Sequence, residues 1–149
     1  CAALVALVCV EGSGFQPAPP GGGLIAGPSN PRAPLEPVGQ RAAPAPRLHI
    51  PITIAANRRY VFWSTEGFPQ IVNGRGSIDP ASFTALTRRV RNFPDASSVT
   101  ALRRLGVRSV VLHPYLASGT AWASADLRPI DGLGVTKSRR AGVVIFELD

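Results

Sequence analysis

Apolar and polar positions divide the chain into three stretches. Residues 1–10, C-A-A-L-V-A-L-V-C-V, carry no charge and no strongly polar side chain. Residues 11–46 show no apolar period and contain P-A-P-P-G-G-G, G-P-S-N-P-R-A-P-L-E-P and A-A-P-A-P. Regular periods begin at residue 47. In 47–54, R-L-H-I-P-I-T-I, Leu48, Ile50, Ile52 and Ile54 alternate with His49, Pro51 and Thr53. That alternation predicts a strand with one buried face. Pro51 cannot donate to a ladder, so the strand belongs at an edge or a bulge. His49 falls on the face opposite the isoleucines, the expected solvent side.

Residues 55–59 read as a turn and 60–63, Y-V-F-W, as a short strand of high β propensity. A long loop follows, S-T-E-G-F-P-Q-I-V-N-G-R-G-S-I-D-P, with at most a brief strand at 70–72 and a turn at Asn73-Gly74. Asp79 can cap a helix and Pro80 suits its first turn. Phe83, Leu86 and Val90 form that helix's apolar stripe. Arg88, Arg89 and Arg91 cluster where cations favour the dipole, and Asn92-Phe93-Pro94 ends it. Ser97 or Ser98 is the expected cap of a second helix, with Val99, Leu102 and Leu105 inward and Gly106 as its stop.

Residues 107–113, V-R-S-V-V-L-H, then read as a buried strand, so helix, Gly-Val and strand make an α/β unit. Residues 114–129 read as loop with a helical turn near 120–125 that carries Trp122. Residues 133–137 and 143–148 read as antiparallel strands around S-R-R-A-G. The predicted fold is α/β (α+β): a small mixed sheet of four to five strands with two helices on one face. It occupies 47–149, about 100 residues, enough for one modest core.

The two earlier stretches change the setting. A spanning helix needs about 20 apolar residues, so 1–10 fits the end of a transmembrane helix; a buried soluble helix or strand is the alternative. The abrupt start on Cys1, with no Met anywhere, leads us to expect a piece of a longer polypeptide. Prolines and glycines in 11–46 predict an extended, polyproline-like linker. Cys1 and Cys9 match no metal or disulfide spacing and read as small apolar fillers.

Sixteen Lys and Arg against nine Asp and Glu give a net charge of +7, and all but Lys137 of the cations are Arg. Such a balance raises nucleic acid or an anionic membrane as partner. The arginines are scattered over several elements without a basic-aromatic recognition pattern, so no nucleic acid is expected.

Candidate chemistry gathers in the loop after residue 62. Trp63 offers a flat apolar face of the kind sugars stack upon, with Glu66 and Asn73 as partners for hydroxyls. Ser64 and Thr65 add donors, and Arg75 could meet a phosphate. His113 ends the strand best placed for an α/β ligand site. The competing reading is structural: Trp63, Phe68 and Ile71 pin the loop to the core while Ser64, Thr65 and Asn73 satisfy backbone groups. No serine lies in a nucleophile-elbow setting, two histidines make no metal spacing, and Gly21–Gly23 sit among prolines without a phosphate-loop lysine. Neither a catalytic residue nor a cofactor is assigned.

In W-S-T-E-G-F-P-Q-I-V-N-G, in F-P-D-A-S-S-V-T-A-L-R-R-L-G-V-R-S-V-V-L-H and in the closing strand pair, the chain resembles a known group. It is similar to the C-terminal soluble region of actinobacterial polytopic membrane proteins related to GT-C-type glycosyltransferases. Those proteins resemble polyprenyl-phosphate-sugar-dependent mannosyl- and aminoarabinosyltransferases. The likeness covers roughly 47–149, and its first segment is the distinctive one. It implies an extracytoplasmic domain on a membrane protein, with a polyprenyl-phosphate sugar or a cell-envelope glycan as ligand. The catalytic acid of such enzymes lies in an early outer loop, so no catalytic residue is carried over to this chain. The expected role is to shape or cover the transfer site; the alternative is a membrane-anchored, non-catalytic module that binds an envelope glycan or a partner protein.

Overall fold

The computed structural model describes residues 37–65, 67–74 and 80–149. The apolar opening run, most of the Pro/Gly-rich stretch, Glu66, Arg75 and the capping Asp79 lie outside the described residues. No helix among the described residues is long and apolar enough to cross a membrane.

Four strands form one mixed sheet: β1 (Arg47–Ile50), β2 (Ser109–Leu112), β3 (Val135–Arg140) and β4 (Val143–Leu148), in the order β1-β2-β4-β3. β1 runs parallel to β2 with Leu48 beside Val110, while β4 is antiparallel to both β2 and β3. The expected small mixed α/β sheet is therefore observed, with four strands. β1 lies at an edge, and it ends at Ile50, before the proline. The closing hairpin is tighter than its sequence suggests, because only Ala141-Gly142 separates β3 from β4. Both take positive φ, 32° and 87°, as two-residue hairpin turns require.

Helices α2 (Ala81–Arg89) and α3 (Ala96–Arg104) cover one face. Leu86, Val90, Val99 and Leu102 pack there on the row from Leu48 and Ile50 through Val110 and Leu112 to Val144 and Phe146. Phe93 meets Phe146 edge-on at 5.1 Å between ring centres. A short helix α4 (Pro114–Ala117) and successive turns fill the expected loop. Trp122 Nε1 donates to the Val90 carbonyl (2.8 Å), and Arg128 donates to the carbonyls of Phe93 (2.6 Å) and Ala121 (2.8 Å). The loop is thus tied to the end of α2.

The cap of α3 is Asp95, two or three residues earlier than the expected serines. Its extended backbone lets the carboxylate accept from the Ser98 N–H (2.8 Å) while Ser98 Oγ accepts from the Asp95 N–H (3.1 Å). Gly106, at φ 72°, stops the helix as expected: its N–H reaches the Arg103 carbonyl and that of Val107 reaches Leu102. Leu105 is not inward but 61% exposed. Two successive steps of three residues rotate it about 120° from Val99 on an α-helix.

The opposite face of the sheet departs most from expectation. Residues 54–63 are neither turn nor strand but helix α1 (Ile54–Trp63), capped by Thr53, whose Oγ1 accepts from the Ala56 N–H (3.1 Å). Ala56, Tyr60 and Trp63 recur at helical spacing and form its buried stripe. Beside it, residues 37–46 belong to the folded part. A 3-10 turn (Val38–Ala42) brings Gly39 so close to the Arg140 carbonyl that a Cβ would overlap it, and Ala43 packs with Val111, Val143 and Ile145. Prolines flank this turn without needing to donate within it, so a proline-rich composition did not prevent packing.

Loss of the α3 cap in Asp95→Ala is expected to cost ~1 kcal/mol. Leu105→Ser, at an exposed position, should change stability by less than about 0.5 kcal/mol. Chemical denaturation of the two variants checks both values.

Candidate functional site

β1 and β2 alternate, so their second face carries Arg47 and His49 from one strand and Ser109, Val111 and then His113 from the other. Helix α1 lies over that face. His49 is therefore not solvated: it is 2% exposed, and His113 is fully buried. His49 Nδ1 and His113 Nε2 are 3.1 Å apart. The Tyr60 ring stacks on both imidazoles, at 4.9 Å from His49 and 5.0 Å from His113. Trp63 tilts against His113 at 5.4 Å and Tyr115 meets it edge-on at 6.1 Å. Tyr60 Oη donates to the Pro51 carbonyl (3.1 Å), which fixes the ring under the helix.

Both imidazoles are held neutral. Burial first, then the neighbouring His113 and Arg47, hold His49 well below the usual histidine range. Burial and then Arg47 push His113 down to about 3. Burial raises Tyr60 above its ordinary value, so its hydroxyl stays a donor. Among the described residues His113 Nδ1 has no hydrogen-bond partner. An orphaned N–H is the rarer and costlier case in a protein interior. The favoured tautomer therefore places the proton on His113 Nε2, donating to His49 Nδ1, and leaves His113 Nδ1 as a bare acceptor.

The candidate residues divide between this cluster and the sheet edge. Trp63 is 3% exposed, and the gap it shares with Arg47, His49, Tyr60 and Pro69 is too small for a water molecule. Ser64 Oγ and Thr65 Oγ1 donate to the carbonyls of Val61 and Phe62 (both 2.7 Å), closing the end of α1. Asn73 is buried and acts as a strand residue through its side chain. Its Oδ1 accepts from the His49 N–H (2.6 Å), and its Nδ2 donates to the His49 carbonyl (2.8 Å) and to Asn57 Oδ1 (3.1 Å). One step earlier, Ile71 bridges Arg47 through backbone bonds of 3.0 and 2.9 Å. The brief strand expected at 70–72 is thus a single bridge, and the outer edge of β1 is satisfied by 70–73.

Trp63 and His113 meet in the cluster, Asn73 joins it through the backbone of His49, and Ser64 and Thr65 serve the helix end. His49, Tyr60 and Asn57 were the residues missed. The signal for them was the spacing of Ala56, Tyr60 and Trp63 behind a threonine cap. In this arrangement the two neutral imidazoles share one hydrogen bond and both are shut away from solvent. Among the described residues no group of three His, Cys, Asp or Glu could hold a metal. Among the described residues open space lies elsewhere, as in a groove of about 250 Å³ between the start of α1 and α2, lined by Ile52, Asn57, Phe83, Thr87 and Arg88. No protein-family model, curated protein or solved structure matches the chain.

Unfolded, each histidine titrates near 6.5; folded, both titrate well below that. The unfolded chain then binds more protons below pH 6.5, so stability is full above that value and falls as pH drops toward the folded values. Thermal unfolding from pH 7 to 4 should show a loss of up to ~1.4 kcal/mol per pH unit for each histidine. His113→Asn should roughly halve that slope; the slope, rather than the absolute stability, is the readout.

Proposed function

We propose that the chain is the extracytoplasmic domain of a membrane glycosyltransferase-like protein and that it shapes or covers the sugar-transfer site without supplying the chemistry. The observation that supports this reading is the way the distinctive segment W-S-T-E-G-F-P-Q-I-V-N-G is used. Its Trp63 end is sealed into the core by His113 and Tyr60, and its Asn73 end is hydrogen-bonded along β1. Between these anchors the loop turns outward, with Phe68 82% exposed. A loop fixed at both ends on a rigid sheet suits positioning and closure rather than proton transfer. The buried histidines, His49 and His113, are neutral and closed off, and this reading assigns the reacting groups to the membrane-embedded part.

The test is transfer of a labelled sugar from its polyprenyl phosphate in membranes that contain the full-length protein. Removal of residues 47–149 should lower the rate at least roughly tenfold, as expected when a closing element is lost. The isolated chain alone should transfer nothing. Unchanged transfer after removal, or a full-length protein without transfer activity, would refute the reading.

A further inference from the structure

The outward side of α1 is unusual for a helix on a small domain. Ile54 is 58% exposed, Phe62 52% and Val61 36%, and Arg58 stands exposed among them. Positions 54, 58, 61 and 62 fall within about 100° of arc on an α-helix. They form one continuous apolar stripe with a cation at its centre, opposite the buried Ala56, Tyr60 and Trp63. α1 contains Arg58 and Arg59 and no carboxylate, and among the described residues Arg58 forms no ion pair.

A second observation lies five residues past the helix. Phe68 adopts φ 46° and is 82% exposed. A bulky side chain in the left-handed region is strained, and here the strain gains no packing. The backbone is held there from both sides, by the Ser64 and Thr65 bonds to α1 and by the bond from the Arg47 N–H to the Gln70 carbonyl. The fold thus keeps a phenylalanine presented to the outside.

We propose that the outward face of α1, together with Phe68, docks on an anionic lipid bilayer surface. Exposed Phe, Ile and Val can enter the boundary between headgroups and acyl chains, while Arg58 stays at the level of the lipid phosphates. Charge selects this occupant over a second copy of the chain. In a two-fold dimer the same patch meets itself, which brings Arg58 near its own counterpart on chains of net charge +7. An anionic bilayer complements both the stripe and the charge. The inference takes the membrane setting of the proposed function and none of its sugar chemistry, so it can fail while the transfer reading stands.

The test is co-sedimentation of the whole 149-residue chain with vesicles of equal parts phosphatidylglycerol and phosphatidylcholine, and with vesicles of phosphatidylcholine alone. The wild type should bind the anionic vesicles, more weakly as salt rises. A Phe62→Ser/Phe68→Ser double variant should bind at least roughly tenfold more weakly, with unchanged thermal stability because both side chains are exposed. Arg58→Gln should lose a severalfold share that vanishes at high salt. Failure to bind anionic vesicles would overturn the inference. So would equal binding by the double variant, since the attachment would then lie elsewhere, as in the apolar residues 1–10. Sedimentation velocity supplies the remaining outcome: a wild-type dimer that the double variant dissociates, with vesicle binding unaltered, would make a second copy the occupant and refute the lipid assignment.

Discussion

Helix α1 has to cover a sheet face that carries two imidazoles and a guanidinium, and the rest of the domain depends on how that is achieved. Unpaired polar groups taken out of water cost several kcal/mol each on apolar-transfer scales. The histidines reduce that cost by staying neutral and bonding to each other, and Tyr60 spends its hydroxyl on the Pro51 carbonyl. Arg47 donates to the Gln40 carbonyl, which joins the 3-10 turn to the same face. Tyr60, stacked on both imidazoles, and Trp63, tilted against His113, then supply the apolar contact over the ring faces.

The edge of the sheet follows from the same arrangement. β1 is short and has one neighbouring strand, so its outer N–H and C=O groups need partners. Residues 70–73 provide them, first with backbone and then with the Asn73 amide, which also bonds Asn57 on α1. Helix, edge and loop therefore form one hydrogen-bonded unit. That unit carries the loop on which the functional proposal rests, and it fixes the outward stripe of α1 relative to Phe68.

Where one face of an element is buried against aliphatic side chains, the sequence was easy to read. Phe83, Leu86 and Val90, then Val99 and Leu102, place α2 and α3. V-R-S-V-V-L-H and V-V-I-F-E-L show their burial by β-branched density, and Gly106 marks its stop through a positive φ. The second face was hidden for physical reasons. Y-V-F-W has the β propensity of a strand, and tertiary burial of Tyr60 and Trp63 overrides it. With 55–59 read as a turn and 60–63 as a strand, no helix covers His49, and it falls to the solvent side. The candidate site was legible in part: Trp63, Asn73 and His113 were identified as special, yet what makes them special is contact with His49, Tyr60 and Asn57. Those partners lie up to 64 residues apart, as with His49 and His113, and local period carries no trace of such pairing.

Nuclear magnetic resonance of the imidazole nitrogens between pH 4 and 7 tests the sealed second face most directly. Both rings should remain neutral through pH 5, with His113 protonated at Nε2 and His49 accepting at Nδ1. Two histidines that titrate together near 6.5, with rapidly exchanging tautomers, would show that α1 does not close over this face and would contradict the account.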